Sequence, residues 1–274
     1  MDYVLLLAPA IVVVASLAIG MIVYGWRRPP VFGFKHNRVF GPFLAGFLVW
    51  AIGPVERRLL GRVSPTAITV VSLLLCLATG AVVAAGWIYI GVWLYVGAGI
   101  LDILDGRLAR LGNRDTKAGA LFDSVADRWG ELAVFTGFAW YAHDSLWLFA
   151  VMAAIAGSMM VSYTRARAES LGATANGGIM QRAERIVLVS GGTLVAALVP
   201  GSALPIVGVT LALCGVASCA TAIRRWQVSY QSLAGIRASE PAAPQERVAR
   251  SPVEPVHAPT IEPISRPSVL PAPR

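Results

Sequence analysis

Charge is what this chain has least of. Only 14% of its 274 residues are Asp, Glu, Lys or Arg, against about a quarter in an ordinary soluble domain. Set beside 56% hydrophobic residues, that shortage excludes a disordered protein and a typical cytosolic enzyme. Cysteine is scarce too: Cys76, Cys214 and Cys219 all lie in apolar runs. They have neither metal-ligand spacing nor the paired pattern of a secreted disulfide scaffold, so they read as small buried hydrophobes. Lysine is nearly absent. Lys35 and Lys117 are the two, so arginine supplies most of the +8 net charge, and its rigid fork matches phosphate and carboxylate. No basic stripe with interleaved aromatics lies outside the apolar runs, which argues against a nucleic-acid partner.

What the chain has instead is long apolar runs. The first covers roughly Tyr3 to Tyr24 and ends at Arg27 and Arg28. It lacks a basic stretch before it, unlike a signal peptide, and reads as a membrane helix. Six more occupy about 65–86, 89–111, 118–141, 145–168, 183–200 and 203–223. The connections near 86–88, 142–145 and 200–204 contain no Lys or Arg, whereas those near 27–64, 112–117 and 165–185, and the segment after 223, contain several. The two kinds alternate, so seven spans with an outside N-terminus and an inside C-terminus obey the positive-inside rule at every loop. Between the first two runs, Phe43, Phe47 and Trp50 precede Glu56, Arg57, Arg58 and Arg62. That pattern predicts an interfacial helix with arginines toward headgroups. Nine of the 17 prolines fall between Pro241 and Pro273, predicting a disordered cytoplasmic tail from 227.

The expected architecture is therefore an all-α polytopic membrane protein. Residues 1–26 form an extra N-terminal transmembrane helix and 27–64 a cytoplasmic interfacial segment. Residues 65–226 form a six-helix core, and 227–274 the Pro-rich tail.

Acids are expensive within membrane helices and are functional candidates wherever they occur. Six of the 15 lie within 102–131: Asp102, Asp105, Asp115, Asp123, Asp127 and Glu131. Asp102 and Asp105 are three apart, and Asp123 and Asp127 four apart, so each pair shares a helix face. The reversal through Gly112, Asn113, Arg114 and Asp115 would bring the two faces together near the cytoplasmic surface. Four carboxylates that close need cations. Oxygen ligands without His or Cys point to Mg²⁺ or Mn²⁺, and two ions about 4 Å apart would clamp a phosphoryl transfer. Gly106 permits close backbone approach, Ala109 leaves room beside the acids, and Arg110 is placed to meet a phosphate. The competing expectation is an ion-pair network of Asp105 and Asp123 with Arg107, Arg110 and Arg128.

The run Asp102-x2-Asp105-Gly106-x2-Ala109-Arg110-x8-Gly119-x3-Asp123-x3-Asp127 resembles the signature of the CDP-alcohol phosphatidyltransferase family, in all eight residues and every gap. The resemblance extends over about residues 60–226. It implies a membrane enzyme that splits a CDP-linked donor, here CDP-diacylglycerol, releases CMP and joins the remaining phosphoryl group to an alcohol. Asp102, Asp105, Asp123 and Asp127 would hold two Mg²⁺ or Mn²⁺ ions, with Asp127 also the base toward the acceptor hydroxyl. Gly106, Ala109, Arg110, Gly119 and Thr69 would line the CDP pocket. The family also implies a homodimer and, with the loop charges, an active site on the cytoplasmic face of the inner membrane.

A second polar cluster contains Arg165, Arg167, Arg182 and Arg185. It suits an anion pocket for a phosphorylated acceptor, or ordinary positive-inside flanking. Its sequence is similar to the family branch that uses inositol phosphate, while glycerol 3-phosphate branches are also arginine-rich here. From another class, an ion-coupled transporter would place its acids near the midplane and break helices in both halves. Here the acids gather at one end.

Overall fold

Backbone satisfaction governs the architecture. Within a bilayer each N–H and C=O must find a partner in its own segment, which favours helices. The computed structural model describes residues 3–27, 41–173, 178–199 and 201–239, and every regular element among them is a helix. In chain order these are α1 (Tyr3–Arg27), α2 (Gly41–Leu59), α3 (Pro65–Ala84), α4 (Ile88–Leu111), α5 (Lys117–Tyr141), α6 (Trp147–Ser170), α7 (Arg182–Leu198) and α8 (Ala203–Ser239). The chain is an integral membrane protein. Among the described residues, α3, α4, α6 and α8 contain stretches long and apolar enough to cross a bilayer. Helix α7 is only 17 residues long, and α5 carries Asp123, Asp127, Arg128 and Glu131 along one half.

The ends follow local chemistry. Ser64 caps α3 by accepting from the Ala67 amide, with Pro65 at the first turn, where its missing N–H costs nothing. Thr116 caps α5 by accepting from the Gly119 amide at 3.0 Å. Between α4 and α5, Asn113 adopts a left-handed backbone (φ 51°), which Asn tolerates better than most residues. The expected reversal is therefore tight, and α4 and α5 both pack against α3.

Close approach of α3 and α5 depends on glycine. A Cβ on Gly137 would stand 2.7 Å from Gly80 Cα, and one on Gly130 would meet Cys76 Cβ at 3.1 Å. Small residues let helix backbones touch where no hydrophobic force drives them together. The apolar core, including Val83, Tyr95, Val134, Phe135, Phe138, Val151, Val189 and Leu211, draws on every helix from α3 through α8.

Three expectations change. Helix α8 continues to Ser239, so residues 227–239 belong to a helix and not to a disordered tail. Residues 226–233 include the buried Ser229 and the packed Leu233, which gives the extension something to bury. The remainder of the tail, 240–274, lies outside the described residues. Helix α2 forms where the interfacial helix was expected, but Phe47 is buried against Tyr24 of α1. Glu56, expected among headgroup-facing charges, is buried on Arg107 of α4. Met1–Ala234 is one compact unit; Gly235–Arg274 is a second, described only over the last residues of α8.

Candidate active site

Helices α4 and α5 bring three of the four expected aspartates together. Carboxylate oxygens of Asp102, Asp123 and Asp127 all lie within 4.8 Å of one another. Asp105, one turn beyond Asp102, sits beside them in a different contact: its Oδ2 accepts from the Thr69 hydroxyl of α3 at 2.7 Å. Asp123 Oδ1 is buried with no hydrogen-bond partner among the described residues. A buried, unpaired carboxylate oxygen costs several kcal/mol by order of magnitude unless a cation meets it. The all-oxygen donor set therefore fits a hard divalent ion, as the sequence predicted.

Two pockets flank these carboxylates. The first, of about 180 Å³, is lined by Thr66, Thr69, Asp105, Gly106, Ala109, Arg110, Gly119 and Asp123, together with the α4–α5 turn. Every residue expected to contact CDP is in it. The second, of about 160 Å³, is lined by Asp127, Arg128, Glu131, Ser162, Arg165, Gln181, Arg182, Arg185 and Arg225. Asp123 faces one pocket and Asp127 the other, so the carboxylate group is the partition between them.

The second pocket gathers three of the four arginines expected there. Arg165, Arg182 and Arg185 line it, whereas Arg167 lines a groove on another side of α6. Two residues at 100° each put their side chains about 200° apart on a helix, which is why the pair cannot share a pocket. Arg182 also does something unexpected: one of its terminal nitrogens donates to both Asp102 and Asp127. It reaches out of the acceptor cluster and holds the acidic one. Arg185 is 1% exposed and forms a two-point pair with Glu131, Nη2 to Oε2 at 2.9 Å.

The competing ion-pair network does not form as expected. Arg107 takes Glu56, and Arg128 donates to the Ser124 carbonyl. Sequence reading missed Ser162, Gln181 and Arg225 as pocket residues. Arg225 carried a usable signal, an ionisable side chain at the end of a long apolar run; Ser162 and Gln181 begin the two stretches similar to the inositol phosphate branch. It also missed the partner of Glu131, because a pairing across 54 positions has no local period.

Comparison with known proteins decides the family. CDP-alcohol phosphatidyltransferase matches over residues 62–223. The chain belongs to that family. It is a phospholipid-biosynthetic transferase of phosphate-containing groups, and the family uses divalent metals. The chain is 36% identical over 132 residues to an archaetidylinositol phosphate synthase of Methanothermobacter thermautotrophicus, covering 48% of this chain and 67% of that one. It is 34% identical over 181 residues to a phosphatidylinositol phosphate synthase of Cutibacterium acnes, covering 60% of this chain and 85% of that one. Among solved structures it resembles the phosphatidylinositol phosphate synthase of Mycobacterium tuberculosis with CDP-DAG bound, at TM-score 0.58 and 28% identity, covering 65% of this chain and 92% of that one. The same mycobacterial protein in complex with manganese and citrate gives TM-score 0.59 at 28% identity, with 65% and 88% covered.

Proposed function

We propose that this phosphatidyltransferase uses CDP-diacylglycerol as donor and an inositol phosphate as acceptor. The observation that carries the reading is the partition: three carboxylates standing between a pocket with the donor motif and a pocket rich in arginine. The relatives named above support the choice of acceptor.

Asp102, Asp105, Asp123 and Asp127 would hold Mg²⁺ or Mn²⁺, in a pair, which supplies positive charge to the pyrophosphate and to the departing CMP. Thr69 fixes the rotamer of Asp105 through its hydroxyl. Gly106, Ala109 and Gly119 leave room for the nucleotide, and Arg110 and Arg114 meet its phosphates. The acceptor lies against Arg165, Arg185 and Arg225, with Arg182 turned from the carboxylates toward the acceptor phosphate. Its hydroxyl oxygen attacks the phosphorus that bears diacylglycerol. The hydroxyl proton passes to Asp127, the P–O bond to CMP breaks, and CMP leaves with the electron pair.

Glycerol 3-phosphate is the second reading, since the same arginines would pair its phosphate. The remaining organisation is part of the proposal: seven spans including residues 1–26, a core from α3 through α8, a homodimer, and a site on the cytoplasmic face of the inner membrane. The test is CMP release in detergent with Mg²⁺, comparing inositol 1-phosphate, free inositol, glycerol 3-phosphate and serine. A site built to pair phosphate should reject free inositol by a factor on the order of 10⁴. Equal turnover of inositol and its phosphate would refute the acceptor assignment.

A further inference from the structure

A large groove among the described residues belongs to neither pocket. Helices α6 and α8 touch at Gly157, where a Cβ would stand 2.9 Å from Gly215 O and 3.0 Å from Cys219 N. Further along both helices a groove of about 540 Å³ opens between them. Its lining changes character along its length. Met160 and Ile223 line the end near the crossing; Arg167, Trp226, Ser229 and Tyr230 line the other.

Three features say what fits there. Ser229 is 6% exposed, and its hydroxyl has no hydrogen-bond partner among the described residues. Arg165 takes Glu169 as its ion-pair partner, while Arg167 makes no ion pair among the described residues. Helix α8 has 37 residues, about 55 Å at 1.5 Å per residue, against a hydrocarbon core of roughly 30 Å. Its C-terminal part therefore reaches headgroup depth, where exposed Trp226 and Tyr230 suit the membrane–water boundary. A groove that runs from acyl depth to a lone arginine matches an amphiphile with a negative head.

We propose that this groove binds one anionic phospholipid, with its phosphate on Arg167 and Ser229 and an acyl chain along Met160 and Ile223. The site is separate from the reaction assigned above. Arg165 and Arg225, on the same two helices, line the arginine pocket instead. No step of the transfer is needed for the lipid to bind, so its test does not depend on the acceptor.

Trp226 is a built-in reporter. The full-length protein is placed in phosphatidylcholine nanodiscs with a minor fraction of dibrominated phosphatidylglycerol or, in parallel, of dibrominated phosphatidylcholine. The signal is the quenching that disappears in Trp226→Phe. One arginine at an anionic leaflet is worth about a five-fold preference, so the phosphatidylglycerol lipid should quench that component at about one-fifth the mole fraction. Arg167→Gln should abolish the preference, Arg167→Lys should keep most of it, and Ser229→Ala should reduce it; thermal melting selects folded variants. Equal quenching by both lipids in the wild-type protein overturns the proposal. So does a preference that survives Arg167→Gln. If a second copy of the chain covers the groove, neither lipid quenches Trp226, and the proposal is again refuted.

Discussion

Asp105 and Asp127 stand on opposite sides of one partition, and their neighbours divide the work between them. Thr69 holds Asp105 at 2.7 Å; Arg182 joins Asp127 to Asp102. Replacing either acid by Asn removes charge with little change in shape. Asp105→Asn and Asp127→Asn should each lower CMP release by at least about 100-fold, the usual loss when a positioned acid–base group is removed. Wild-type turnover in either variant would remove that residue from the mechanism. Glu131 and Arg185 pose a different question, because both are nearly inaccessible to solvent. Glu131→Gln leaves a buried guanidinium uncompensated and should destabilise by about 3–5 kcal/mol. The double replacement Glu131→Leu with Arg185→Met should recover much of that stability in a denaturation experiment, while leaving the arginine pocket one charge short.

At the scale of elements, the site depends on how α3, α4 and α5 meet. Thr69 comes from α3, Asp102 and Asp105 from α4, and Asp123 and Asp127 from α5. The α3–α5 contact is made through Gly80 and Gly137, with no space for a Cβ between them. Gly137→Val should therefore force these helices apart, lowering both the melting temperature and the turnover. Gly53→Ala, on α2 where a Cβ would meet nothing within 4 Å, is the matched control and should change neither. Helix α2 is fastened to α4 by the buried Glu56–Arg107 pair and by an apolar cluster of Ile52, Leu104 and Leu108 with Ile68 of α3. An apolar seam and an ion pair together explain why this helix does not simply float at the interface.

For the whole molecule, the division between core and tail can be tested directly. Helix α8 runs to Ser239, so the composition-based boundary at 227 would cut through buried Ser229 and packed Leu233. Ending the chain after Ser239 should leave CMP release unchanged, whereas ending it at 226 should lower the melting temperature. Loss of activity on removal of 240–274 would show that the Pro-rich segment contributes to the reaction.

The order of helices, the α4–α5 reversal and the acidic chemistry were legible in the sequence because each is local. A 3.6-residue period fixes which of Asp102, Asp105, Asp123 and Asp127 share a face. Hard oxygen ligands without His or Cys fix the kind of ion they suit. Pairings between distant positions have no such period. Only the packed helices decided that Arg182 reaches Asp102 and Asp127 and that Glu56 is buried on Arg107. Those outcomes depend on the rotation of each helix about its own axis, which is set by small-residue contacts such as Gly80 on Gly137 and by the shapes of the side chains between them.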